Sequence, residues 1–150
     1  MPNSYISAYI HYVFGTKYRI KRIDPHLEER LFPYISGIAR KNRMKVLAID
    51  GVPDHVHILL SMPATFSIAE AIKLIKGGSS RWVSKTFPEH RDFEWQEGYG
   101  AFTVSNSHID RVSAYINNQK VHHQIRTFEE EYFSLLQRHG VRYDERFVLG

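Results

Sequence analysis

Few folds accommodate the order in which this chain alternates short apolar runs with capped amphipathic segments. Met44–Ile49 and His55–Ser61 read as two strands, and the turn-forming run Asp50-Gly51-Val52-Pro53-Asp54 between them predicts a hairpin. A strand and a helix precede that hairpin. Ser7–Phe14 is rich in Tyr, Ile, Val and Phe, and Asp24-Pro25 then supplies an N-cap and a first helical residue. Leu27, Leu31, Tyr34, Ile35 and Ile38 recur at helical spacing. After the hairpin, Ser67-Ile68-Ala69-Glu70 has the capping-box form and starts a second helix, which Gly77-Gly78-Ser79-Ser80 is expected to weaken or kink. A fourth strand is expected within Phe93–Ser105, interrupted by Gly98 and Gly100. A third helix is expected from about Ser107 to His122, and a last one from the Thr127–Glu130 capping pattern to Gly140. The order β-α-β-β-α-β followed by helices predicts an α+β, ferredoxin-like (split βαβ) antiparallel sheet with helices on one face plus C-terminal helices. That architecture hosts many activities, so function must be argued from sites.

The length of 150 residues predicts a single domain over 1–150. The chain has no cysteine, which excludes disulfides, thiolate zinc sites and cysteine nucleophiles. Any metal must therefore be held by imidazole, carboxylate or amide, which suits magnesium, manganese or a similar divalent ion. No apolar run approaches a membrane span, and Met1–Phe14 lacks the pattern of a secretory leader, so a cytoplasmic protein is expected. A net charge of +4 is compatible with a phosphate-rich partner and does not by itself demand one.

His55-Val56-His57 lies on the second hairpin strand. Because strand side chains alternate, both imidazoles share a face while Val56, Ile58 and Leu60 are free to meet the core. Two such imidazoles can hold a divalent ion that polarises a phosphoryl oxygen; equally, they can be two histidines on a solvated strand face. Tyr115 and Gln119 are neighbours at i and i+4 on the third helix. There a phenol can serve as nucleophile and an amide oxygen as a further ligand. The alternative is a tyrosine at the edge of the core, beside Ile109, Val112 and Ile116. Lys73, Lys76, Arg81 and Lys85 are candidate phosphate contacts, or solvated residues of an amphipathic helix. Trp82 and Trp95 read as core residues. His122 and His123 are candidate DNA contacts or spare ligands, and His11 is either near the site or a satisfied core histidine.

His55-Val56-His57 followed by Tyr115-x-x-x-Gln119 resembles the single-tyrosine HUH transposases of the smallest bacterial insertion sequences, the IS200 type and its REP-associated relatives. The segments His11–Arg19, Lys76–Arg81 and Trp95–Phe102, with Asn118-Gln119 and His122-His123, continue the similarity over nearly the whole chain. The resemblance implies a bacterial or archaeal DNA strand transferase that cuts and rejoins single-stranded DNA carrying hairpin ends through a 5′-phosphotyrosine at Tyr115. It also implies Mg2+ or Mn2+ at His55, His57 and Gln119, and a homodimer in which the tyrosine helix can serve the partner's histidines. The competing reading is a non-catalytic or domesticated nucleic-acid-binding protein of the same fold.

Overall fold

The computed structural model describes residues 4–150, so residues 1–3 of the segment expected to carry no leader lie outside the described residues. Strand β1 (Tyr9–Gly15) is followed by α1 (Pro25–Lys41), β2 (Lys45–Val52), β3 (His55–Ser61), α2 (Ile68–Thr86) and β4 (Gly100–Val104). Three helices close the chain: α3 (Ile109–Asn117), α4 (Gln119–His122) and α5 (Phe128–Arg138). The four strands form one antiparallel sheet in the order β2-β3-β1-β4. This is the split βαβ arrangement that the element order predicts.

Strand alternation divides the apolar side chains between the two sheet faces. On one face Ile10, Tyr12, Phe14, Val56, Ile58 and Leu60 pack with Leu27, Leu31 and Ile35 of α1 and Ile72, Ile75 and Val83 of α2. On the other, Val13 and Phe102 pack with Phe128, Tyr132, Leu135 and Leu136 of α5, while Ala48 and Leu59 meet Ile116 of α3. The sheet is thus covered on both sides, and the C-terminal helices form the second layer. Each fully buried aliphatic or aromatic side chain contributes about 1.5–3 kcal/mol to holding these layers together.

The helix starts follow from their caps. The Asp24 carboxylate accepts from Leu27 N at 2.8 Å, and the Ser67–Glu70 and Thr127–Glu130 capping boxes are both closed. Gly140 at φ +65° follows the end of α5, a backbone conformation that favours glycine.

Three expectations need correction. Helix α2 runs unbroken through Gly77-Gly78-Ser79-Ser80 to Thr86. A Cβ at Gly78 would stand 3.0 Å from Ile38 Cδ1, so this glycine serves the close approach of α1 and α2. The hairpin turns on Pro53-Asp54 alone, because β2 extends to Val52, which pairs with His55. The third helix ends at Asn117. Asn118 takes φ −109° and ψ 25°, and α4 starts separately at Gln119. Among the described residues, no helix is long and apolar enough to cross a membrane.

Candidate metal and tyrosine site

The parity of β3 that sends Val56, Ile58 and Leu60 into the α1/α2 core sends His55 and His57 to the opposite face, beneath α3 and α5. Both are 0% exposed, so the solvated-face alternative does not hold. The short hairpin turn fixes His55 further. A Cβ at Gly51 would lie 2.4 Å from His55 O, so only glycine allows β2 to pass this close.

Glu131, which the sequence did not single out, and His123, a candidate spare ligand, complete the cluster. Glu131 occupies the buried stripe of α5 with Phe128 and Leu135, and is 1% exposed. His123 follows α4. Lys120 anchors this segment, donating to Glu28 Oε1 at 2.8 Å and Asp50 Oδ1 at 3.0 Å. Glu131 Oε1 lies 2.8 Å from His57 Nε2, 3.0 Å from His123 Nε2 and 3.3 Å from His55 Nε2. One donor atom from each of the four residues falls within 4.8 Å of the others.

Outer partners set how the imidazoles point. Asp54 Oδ1 is 2.8 Å from His55 Nδ1, and His11 Nε2 is 2.8 Å from His57 Nδ1. A neutral His55 that donates through Nδ1 leaves a lone pair on Nε2. That nitrogen faces His123 Nε2 at 3.0 Å as well as the Glu131 carboxylate. Such a convergence of lone pairs calls for a proton or a cation at its centre. Three imidazoles and one carboxylate, with carboxylate and imidazole supports behind them, form a donor set suited to a divalent metal.

The tyrosine meets this cluster through Glu131. The Tyr115 hydroxyl donates to Glu131 Oε2, its ring packs against the Ile116–Leu59–Ala48 cluster, and His122 stacks on it with centroids 4.6 Å apart. Tyr115 therefore does sit at a core edge, with its hydroxyl turned to the histidines of its own chain.

Burial opposes ionisation of Glu131, yet its contacts with the His123, His55 and His57 imidazoles hold it well below the usual carboxylate range. Burial and then the Glu131 contact push the Tyr115 phenol upward. Burial lowers His57, and lowers His11 further with help from His57. For His55, burial is outweighed by hydrogen bonds to Asp54 and Glu131, and its pKa rises. Without a metal, the resting phenol is protonated and the carboxylate charged.

Gln119 is fully buried. Its Nε2 donates to Tyr115 O at 3.4 Å, and its Oε1 has no hydrogen-bond partner. Lys73, Lys76, Arg81 and Lys85 lie on α2, which packs on the other sheet face, so they do not join the cluster. The Lys76 ammonium is capped by Glu97 O and Gly98 O, and burial pushes its pKa down to about 8. Trp95 is a core residue that donates to Ser79 Oγ, and Trp82 stacks on Tyr34.

Glu131 was legible in principle. It stands three residues after Phe128 and four before Leu135, a core position on an amphipathic helix. The run Glu129-Glu130-Glu131 disguises it as the acidic first turn that any helix favours. His123 was already a candidate spare ligand, in the His122-His123 pair that follows Gln119.

Residues 4–119 match the family described as transposase, IS200 like. The ISDra2 transposase TnpA of Deinococcus radiodurans is 28% identical over 114 residues, covering 73% of this chain and 81% of that protein. The transposase for insertion sequence element IS200 of Salmonella typhimurium is 25% identical over 115 residues, covering 73% and 74%. Among solved structures, a candidate transposase of Deinococcus radiodurans R1 superposes with a TM-score of 0.65 at 28% identity, covering 78% of this chain and 95% of the other. A REP-associated tyrosine transposase bound to a REP hairpin shares the fold, with a TM-score of 0.61 at 16% identity over 81% and 72%.

Proposed function

The chain belongs to the family of IS200-like transposases, and on that basis we propose that it cleaves and rejoins single-stranded DNA through a covalent link to Tyr115. One observation carries this reading: the Tyr115 hydroxyl is bound to the same carboxylate on which three imidazole nitrogens converge. A nucleophile and a metal-ligand set that share one side chain are placed for attack on a phosphate held between them.

His55, His57, His123 and Glu131 are the residues that would hold a divalent ion, with Gln119 Oε1 as a further candidate donor. When bound, the ion supplies Lewis-acid polarisation of a phosphoryl oxygen, typically worth several kcal/mol in the transition state. Of the two ions expected from the sequence, the imidazole-rich set favours Mn2+ over Mg2+.

The remaining chemistry belongs to the chain. Tyr115 Oη attacks phosphorus, the P–O3′ bond breaks, and the downstream strand stays joined to the protein as a 5′-phosphotyrosine. The phenol proton passes to Glu131 Oε2, the atom it already contacts, and ends on the departing 3′-oxygen. In the reverse step a 3′-hydroxyl attacks phosphorus, the tyrosyl oxygen leaves, and the proton returns by the same carboxylate. Glu131 is too weak a base to keep this proton at rest, so it serves as a relay. The phosphotyrosine conserves the energy of the cut bond, and rejoining needs no nucleotide cofactor.

A single catalytic domain with one such tyrosine requires two chains to hold two cut ends, which supports a homodimer. The contact between Tyr115 and its own Glu131 supports a site completed within each subunit. Hairpin-bearing DNA as the partner is carried over from the relative described as bound to a REP hairpin.

The test uses single-stranded oligonucleotides from the flanks of the gene, labelled at either end and incubated with Mn2+. A denaturation-resistant protein band carrying only the 3′-label is expected, and Tyr115→Phe should abolish it. An adduct that persists in Tyr115→Phe, or none with the parent protein, would overturn the assignment.

A further inference from the structure

Beside Tyr115, between β4, the start of α3 and the end of α5, lies a cavity of about 310 Å3. Its inner wall is apolar, formed by Phe102, Val112 and Leu135, with Tyr115 alongside. Two guanidinium groups, Arg111 on α3 and Arg138 on α5, stand at its margin. Both are exposed, and among the described residues neither has a carboxylate partner. Among the described residues, no aspartate or glutamate lines the cavity. The exposed His139 stacks on the buried Phe102 with centroids 4.6 Å apart, so its ring is the aromatic surface the cavity presents.

We propose that this cavity binds one nucleotide of the single strand adjacent to the phosphate that Tyr115 attacks. The base lies against Val112 and the His139 ring, over the apolar floor of Phe102 and Leu135, and the nucleotide's phosphate pairs with Arg111 and Arg138. The inference rests on the reading of Tyr115 as the nucleophile. An apolar wall with aromatic surface suits a base, which any sequence can offer as a π-face. Two unpaired guanidinium groups suit a phosphate, which they can grip with paired N–H donors. The volume is at the small end of ligand pockets, about 300–1,000 Å3, and admits a single unpaired nucleotide but no duplex. Tyr115 forms part of the lining, so a strand seated here runs beside the nucleophile's side chain.

The experiment measures binding of a fluorescein-labelled, random-sequence single-stranded oligonucleotide by anisotropy, with the full chain in EDTA, as a function of salt. Arg111→Ala with Arg138→Ala is compared with Arg40→Ala with Lys41→Ala, which removes equal charge from the exposed end of α1. The cavity variant is expected to bind about 10-fold or more weakly than this control, with the slope of log K against log salt reduced by about 0.7 for each phosphate no longer neutralised. Restoring lysine at both positions should recover part of the affinity. Val112→Phe fills the cavity without changing charge and should weaken binding while leaving the slope unchanged. Equal binding by the cavity and control variants, no effect of Val112→Phe, or no binding by the parent would each overturn the proposal. Covalent trapping by the parent is scored separately. Loss of trapping with these binding effects intact would refute the role of Tyr115 while leaving a nucleotide-binding cavity.

Discussion

Replacing Glu131 with glutamine tests the centre of the site, because this substitution keeps the shape of the side chain and removes its charge. Glu131 Oε1 lies between 2.8 and 3.3 Å from all three imidazole nitrogens, so any ion they share must also contact this carboxylate. At a Mn2+ concentration of about 100 times Kd, binding to the folded state stabilises it by about 2.7 kcal/mol. For a chain of this size that raises Tm by about 5–11 °C, at roughly 2–4 °C per kcal/mol. Loss of an outer partner of a metal ligand alone costs about 10–100-fold in affinity, and loss of an anionic donor should cost at least as much. A 100-fold loss at the same concentration leaves about 0.4 kcal/mol, or roughly 1–2 °C. Thermal unfolding of Glu131→Gln in EDTA and with added Mn2+ reads this difference directly. If the variant keeps the full Mn2+-induced shift, Glu131 does not hold the ion and the three imidazoles bind it elsewhere or not at all.

Three further outcomes follow from the same geometry. His11 is buried with its pKa well below 6.5, so the folded state keeps it neutral while the unfolded chain takes up a proton. Its contribution is present above about pH 6.5 and is lost as pH falls below that value, by up to about 1.4 kcal/mol per pH unit; in EDTA, His11→Asn should flatten the fall of Tm with acid, and an unchanged slope would contradict it. Gly51→Ala drives a methyl group into His55 O and should lower Tm by an overpacking cost of about 1–3 kcal/mol while reducing the Mn2+-induced shift; a variant with the parent's Tm and shift would disprove the close approach. Gln119→Leu removes a buried amide whose oxygen has no partner, so Tm in EDTA should rise by the equivalent of about 1–3 kcal/mol. If Gln119 Oε1 is also a ligand, the Mn2+-induced shift shrinks, and an unchanged shift removes it from the ligand set.

Local chemistry made much of the fold legible in advance. The caps at Asp24, Ser67 and Thr127, the alternation along β3 and the turn formers after β2 act over a few residues, and each produced the element it predicts. The same alternation placed His55 and His57 on one face, and the order of motifs pointed to the transposase family. Where helices end and pack was harder to read. Gly77-Gly78 has the composition of a helix breaker, and only contact with α1 shows that Gly78 makes room for Ile38.

The amino-acid pattern alone determined the split βαβ order, the shared face of His55 and His57, and the presence of a helix tyrosine and glutamine downstream. Tertiary structure decided which groups gather around those histidines. Residue Glu131 is 74 positions from His57, and His123 is 68 from His55. The break at Asn118 and the docking of α5 on the second sheet face bring them together. No local periodicity records such a meeting, because it depends on how separately formed elements bury their apolar stripes against one sheet.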